Sequence, residues 1–258
     1  MPGNEKDVLK FLLENKNKIN LNHFNSIKSI KIPHRNKLFE LNSINFDDFF
    51  SDDARKKADV FINDKGCSIK EVASVLYNRI QRKDIDNFFG NFFTKKRVKE
   101  MKLELDKKVK KIHSQSHIQS FNFLEIMAEN EFKQILYYLM FKGSPNYGET
   151  NAPAQFILEA KKILRSPNDL KVYTFEEYFK KNKNEIFLRF RNSKFGQKSE
   201  TEHNRARSHL SFEENLPWCF NSIKGSPQGW RTNIDEKDRK QVYYLMIEKK
   251  PKKKNKIK

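Results

Sequence analysis

The chain has 258 residues and a formal net charge of +19. Its 23 Phe and 37% hydrophobic content exclude a disordered polycation, which has too little apolar surface to offset chain entropy, and the length is enough for a sizeable core. Two cysteines, Cys67 and Cys219, make neither a disulfide framework nor a zinc ribbon. No apolar run reaches the roughly 18 residues of a membrane span, and Met1 to Leu13, interrupted by Glu5, Asp7 and Lys10, is not a signal peptide. A bacterial cytoplasm is the expected setting. The last ten residues hold seven Lys and no acid, and without them the charge is still +12. The expected organisation is a folded domain over 1–248 and a basic tail over 249–258. A body this cationic attracts polyanions, nucleic acid before an anionic membrane surface.

Val8 to Ile19 predicts a short helix, with Val8, Leu9, Leu12, Leu13 and Ile19 apolar. Ile27 to Ile32 alternates apolar and polar residues as far as Pro33, and Asn45 to Asp53 reads as an acidic, aromatic turn or short helix. Ala58–Ile62 and Cys67–Ile69 are short β-type runs around Asn63-Asp64-Lys65-Gly66, a hairpin signal. Glu71 to Asp86 predicts a helix from the spacing of Val72, Val75, Leu76 and Ile80. Lys95 to Ile112 repeats that pattern with Val98, Met101, Leu105, Val109 and Ile112, and its other face is nearly all Lys. Phe121–Phe141 and Pro153–Leu164 read as further helices, with a polar loop over Gly143–Gly148 between them. Thr174 and Glu177 form a capping box for a helix ending near Lys183. Ile186–Arg191 and Val242–Ile247 predict strands, and Gly225 to Trp230 a loop. The fold class expected is α/β, a small mixed β-sheet with a hairpin flanked by helices, without a regular βαβ rhythm.

The hairpin carries the chemistry. A four-residue loop over Asn63–Gly66 pairs Ile62 with Cys67, Phe61 with Ser68, Val60 with Ile69 and Asp59 with Lys70. One face is then Val60, Ile62, Cys67 and Ile69, which belongs in a core, and the other holds Asp59, Phe61, Ser68 and Lys70. A carboxylate beside a lysine on a sheet face suits phosphodiester hydrolysis: the carboxylate binds a divalent cation that activates water, and the ammonium offsets charge on the phosphate. A plain cross-strand ion pair has the same pattern.

Ala58-Asp59-Val60-Phe61-Ile62-Asn63, then Cys67-Ser68-Ile69-Lys70-Glu71, then Tyr77-Asn78-Arg79-Ile80-Gln81-Arg82 resembles the core of a PD-(D/E)XK nuclease, and is most similar to type II restriction endonucleases. The resemblance covers Lys57 to Asp86. It implies that Asp59 binds Mg2+, that Lys70 supports the attacking water, and that Ser68 stands where the family has its second acid. An acid from elsewhere must then complete the metal site. Asp84, on the stripe of Leu76 and Ile80 if the segment is helical, comes first, followed by Glu40, Glu14 and Glu71. The implied activity is a metal-dependent endonuclease on double-stranded DNA, and cutting both strands implies a homodimer. The alternative is a non-catalytic basic protein that binds DNA or RNA, its hairpin purely structural.

Asn78, Arg79, Gln81 and Arg82 begin near this site and are expected DNA contacts. Arg205 and Arg207 suit phosphate. Lys224, Gln228 and Arg231 share a loop able to reach base edges, and Gly143–Gly148 is a second loop contact. His113 and His117 read as surface histidines, and His203-Asn204 with His209 resembles a His–Asn–His nuclease in composition only. Trp218 reads as core.

Overall fold

The computed structural model describes residues 5–34, 37–42, 56–72, 75–115, 120–222 and 229–250. In chain order the elements are α1 (Glu5–Glu14), β1 (Ile30–His34), β2 (Lys37–Glu40), β3 (Val60–Ile62), β4 (Lys65–Glu71), β5 (Val75–Ile80), α2 (Ile85–Gly90), α3 (Lys95–Gln115), β6 (Ser120–Phe121) and α4 (Glu129–Tyr137). There follow β7 (Gly143–Ser144), β8 (Gly148–Glu149), β9 (Phe156–Ala160), β10 (Leu170–Tyr173), α5 (Phe175–Asn182), β11 (Ile186–Phe195), α6 (Glu200–Leu210), β12 (Cys219–Asn221) and β13 (Lys240–Lys249). The protein is mixed α and β. It divides into two compact units, one of residues 1–77, 133–186 and 249–258, the other of 78–132 and 187–248.

The first unit is built on a six-stranded sheet of order β10-β9-β4-β3-β1-β2. Its neighbours are antiparallel except β4 and β9, which run parallel. The hairpin's apolar face is as expected: Val60, Ile62, Cys67 and Ile69 join Val8, Leu9 and Leu12 of α1 and Leu158, Ala160, Leu170 and Val172 in one buried cluster. Its register differs. Asn63 and Asp64 have φ of 49° and 64°, a two-residue turn with both central residues left-handed, the geometry that matches strand twist. Lys65 and Gly66 therefore belong to the strand, and the pairs are Val60–Cys67, Phe61–Gly66 and Ile62–Lys65. The shift is two residues, so every side chain keeps its face. Asn63 is tied down through its carboxamide, which accepts from Lys28 N at 2.7 Å and donates to Ser26 O.

The second unit holds a sheet of order β12-β13-β11-β6, with β5 on β13. Its helix α3 buries the expected stripe of Val98, Met101, Leu105, Val109 and Ile112. Trp218 is fully buried, edge-on to Phe190, and donates Nε1–H to Asp106 at 2.7 Å.

Two expected helices are strands. Over 71–86 a helix would bury Val72 and Leu76, yet they are 45% and 43% exposed; Val75 and Tyr77 are buried instead, with the period of a strand. Over 153–164, Phe156–Ala160 forms β9, buried from Ile157 through Ala160. A short run covered on both faces carries no period that separates strand from helix. The 121–141 segment breaks into β6, a 3-10 turn, α4 and a π-turn. The Thr174–Glu177 capping box and strands β11 and β13 are as expected. Strand β13 runs through Lys249, whose side chain is 1% exposed, so the basic tail does not begin there. Asn45–Asp53 lies outside the described residues.

Candidate functional site

The β3 ladder ends at Val60, and this local ending makes the site. The N–H of Ile69, left without a β3 carbonyl, donates to Asp59 Oδ2 at 2.7 Å. Ser68, 2% exposed, donates its hydroxyl to the same oxygen at 3.4 Å. The Asp59 carboxylate is thus held by β4 through one oxygen, and Oδ1 accepts no hydrogen bond among the described residues.

Asp59, Ser68 and Lys70 line one cleft of about 100 Å³ with Lys56 and Lys57. Leu76, Tyr77, Leu139 and Met140 complete its wall. Tyr77 is fixed by a 2.9 Å hydrogen bond to Tyr178. Burial, and then Tyr178 beside it, pushes its phenol well up, so Tyr77 remains a neutral wall at any working pH.

A further carboxylate acts electrostatically on this site, and it is none of the four expected. Glu5, in the first turn of α1, is pushed up to about 7, first by burial and then by the charge of Asp59, against the pull of Lys70 and Lys56. Two carboxylates sharing one place resist double ionisation unless a cation joins them. A signal for Glu5 was present: positions 5, 8, 9 and 12 form one helix stripe, and Val8, Leu9 and Leu12 are its buried members, so the carboxylate is carried inward on an apolar face. Lys57 was also missed. Burial, and then Lys70 next to it, lowers its ammonium to about 8.

Glu159 extends the polar face. The parallel register sets it beside Lys70. It accepts from Lys249 Nζ at 3.1 Å and from Lys181, which also donates to Tyr173 at 2.8 Å.

The residues fit a magnesium ion, which takes one or two protein carboxylates and fills its octahedron with water and phosphate oxygens. Asp59 Oδ1 would hold it, with Glu5 as the candidate second carboxylate. Among the described residues no group of three or more His, Cys, Asp or Glu gathers as a closed metal cage.

The other expected residues lie as follows. Asp84 is in the second unit, on a 3-10 turn rather than a helix stripe, and pairs with Lys83 at 3.0 Å. The helix phase that turned it inward therefore has no basis. Arg82 is committed internally, with two bonds to Asp106 at 2.9 and 2.8 Å and a third to Glu214 O. Gln81 accepts from Asn215 at 3.0 Å, and Asn78 accepts from the backbone N of Arg79. The Arg79 side chain is exposed. Arg205 and Arg207 lie on α6. Arg205 reaches Ser193 at 3.5 Å, and Arg207 is exposed beside Asn204. Arg231 is tied to Gln197 O at 2.9 Å and to Glu200. Lys224, Gln228 and His117 lie outside the described residues.

His113 stacks on Phe220 at 4.4 Å and is lowered by burial. His203 and His209 are buried, and burial, with Arg205 adding, pushes His209 down to about 4. Gly143–Gly148 is a β7–β8 ladder rather than a plain loop. Among the described residues no helix is long and apolar enough to cross a membrane. Compared with protein-family models, with curated proteins and with solved structures, the chain matches none.

Proposed function

We propose that this chain is a magnesium-dependent endonuclease that hydrolyses phosphodiester bonds in double-stranded DNA, of the PD-(D/E)XK restriction type and active as a homodimer. The observation that carries the reading is the convergence of Asp59, Ser68 and Lys70 on one cleft, with Glu5 close enough for its charge to oppose that of Asp59.

Asp59 and Glu5 supply the anionic oxygens, and Ser68 takes the place of the family's second acid as a neutral donor that steadies Asp59. When bound there, a magnesium ion polarises the phosphate and lowers the pKa of its water. Lys70, two residues beyond Ser68 on the same face of β4, lines the cleft with Asp59 and would hold the attacking water and offset the charge that builds on the phosphoryl oxygens. Lys56 and Lys57 add two more ammonium groups on the same wall. Three lysines around the carboxylates keep the cleft cationic, and a bound divalent ion would add to that, which favours a phosphodiester.

The test is incubation with long unmodified DNA and Mg2+. Discrete fragments are expected. A smear would make the enzyme a nonspecific nuclease. A gel shift without cleavage would leave the alternative, a basic nucleic-acid-binding protein with a structural hairpin.

A further inference from the structure

Helix α3 carries its charge in an order that the nuclease reading does not use. Opposite its buried stripe, positions 96, 99, 103, 107 and 110 follow one another at intervals of 3, 4, 4 and 3 residues and so share one face. They are Lys96, Lys99, Leu103, Lys107 and Lys110, all exposed. The row extends over about 21 Å at 1.5 Å per residue, with no acid on it. The acids of the helix are committed beside it: Glu100 pairs with Arg97 at 3.3 Å and Asp106 with Arg82 at 2.8 Å. Glu104 meets Lys107 at 2.6 Å. The half-buried lysines on the flanks, Lys102 and Lys108, are tied to Asp86 and Glu125. No ion pair among the described residues offsets Lys96, Lys99 or Lys110.

We infer that this lysine row is a binding surface for the phosphate backbone of duplex DNA. The choice of DNA as the polyanion rests on the nuclease reading above. The row is long and straight, which suits an extended polyanion rather than a single phosphate. A membrane helix would turn its apolar face outward, whereas the apolar face of α3 is buried in protein. Lysine is a point charge without the planar fork that reads base edges, and the row holds no Arg, Asn or Gln. It therefore supplies sequence-independent affinity and orientation, not recognition.

The test is fluorescence anisotropy of the full-length protein on a random-sequence 30-base-pair DNA duplex. It is run in EDTA over a range of salt, so that its outcome does not depend on cleavage. The variants are Lys96/Lys99/Lys107/Lys110→Gln, the same four positions →Arg, and a control of equal charge change at the exposed Lys10, Lys18, Lys171 and Lys180→Gln. Loss of three or four phosphate contacts lowers the slope of log K against log salt by about 3, and affinity near 0.1 M salt should fall at least 30-fold. The Arg variant should bind like wild type and the control should change less than about threefold. Three results would overturn the inference: an unchanged slope in the α3 Gln variant, an equal loss in the control, or tighter wild-type binding to duplex RNA or to vesicles of phosphatidylcholine and phosphatidylserine than to duplex DNA. Failure of the nuclease reading would appear separately, as DNA binding through this row without cleavage in Mg2+.

Discussion

The backbone N–H of Ile69 donates to Asp59 Oδ2 at 2.7 Å across the mouth of the β3–β4 hairpin. Asp59 is thus part of the sheet's hydrogen bonding as well as of the cleft, and the two roles separate by substitution. Asp59→Asn keeps an acceptor for Ile69 and should cost under about 1 kcal/mol of stability. Asp59→Ala leaves that N–H without its partner and should cost about 1–3 kcal/mol. Urea denaturation of both variants checks this; equal stabilities would mean that the bond contributes nothing.

Glu5 makes stability depend on pH in a direction opposite to that of a paired carboxylate. Folded, it keeps its proton to about pH 7, against 4.5 for the ordinary side chain. Between those values the folded chain holds the extra proton, so stability falls as pH rises through the window, and the penalty is complete above pH 7. The penalty is on the order of 1–3 kcal/mol after screening by solvent. Glu5→Gln should remove this dependence. Mg2+ should stabilise wild type more at pH 8 than at pH 5. Thermal melts across pH, with and without Mg2+, measure both effects, and a Glu5→Gln profile identical to wild type would remove Glu5 from the site.

The two second-acid assignments differ in metal demand. Glu5→Gln should raise the Mg2+ concentration for half-maximal cleavage at least tenfold. Asp84→Asn should leave it within about twofold, because Asp84 serves Lys83 and the 3-10 turn. A collapse in Asp84→Asn with normal metal dependence in Glu5→Gln would reverse the assignment.

Lys249 and Glu159 meet at 3.1 Å with 1% and 3% of their side chains exposed. Glu159→Gln leaves two ammonium groups around a neutral amide, Lys249 deeply buried and Lys181 half-exposed, and should cost about 3–5 kcal/mol. Lys249→Met leaves Glu159 with Lys181 and should cost less. Removal of residues 251–258 should leave the unfolding midpoint unchanged, whereas truncation before Lys249 should lower it sharply. Equal midpoints for the two truncations would contradict the buried pair.

The hairpin was legible in the sequence because Val60, Ile62, Cys67 and Ile69 alternate around a turn signal, and face assignment survives a two-residue slip. The slip itself was not legible, because Asn63 and Asp64 accept left-handed conformations that a composition rule does not assign to one loop length. Residues 71–86 misled because Val72, Val75, Leu76 and Ile80 fit a helical spacing by count, while the burial of Tyr77 between exposed Leu76 and half-exposed Asn78 follows from sheet pairing. The inward phase expected of Asp84 rested on that helix. Glu5 was readable as a carboxylate on the stripe of Val8, Leu9 and Leu12, but the influence of Asp59 on its charge depends on tertiary structure. The buried Lys249 looked like tail because it opens a run of lysines, and only its pairing with Glu159 separates it from them.

The proposed role of Asp59 and Lys70 is a shared hydrolytic site. Single-turnover cleavage of supercoiled plasmid, by wild type, Asp59→Asn and Lys70→Met at matched DNA occupancy, tests it most directly. Wild type should produce linear DNA in Mg2+ and none in EDTA. Both variants should bind equally and cleave about 10³-fold more slowly. Wild-type cleavage rates in Asp59→Asn, or DNA bound without any cleavage by the wild-type protein in Mg2+, would contradict it.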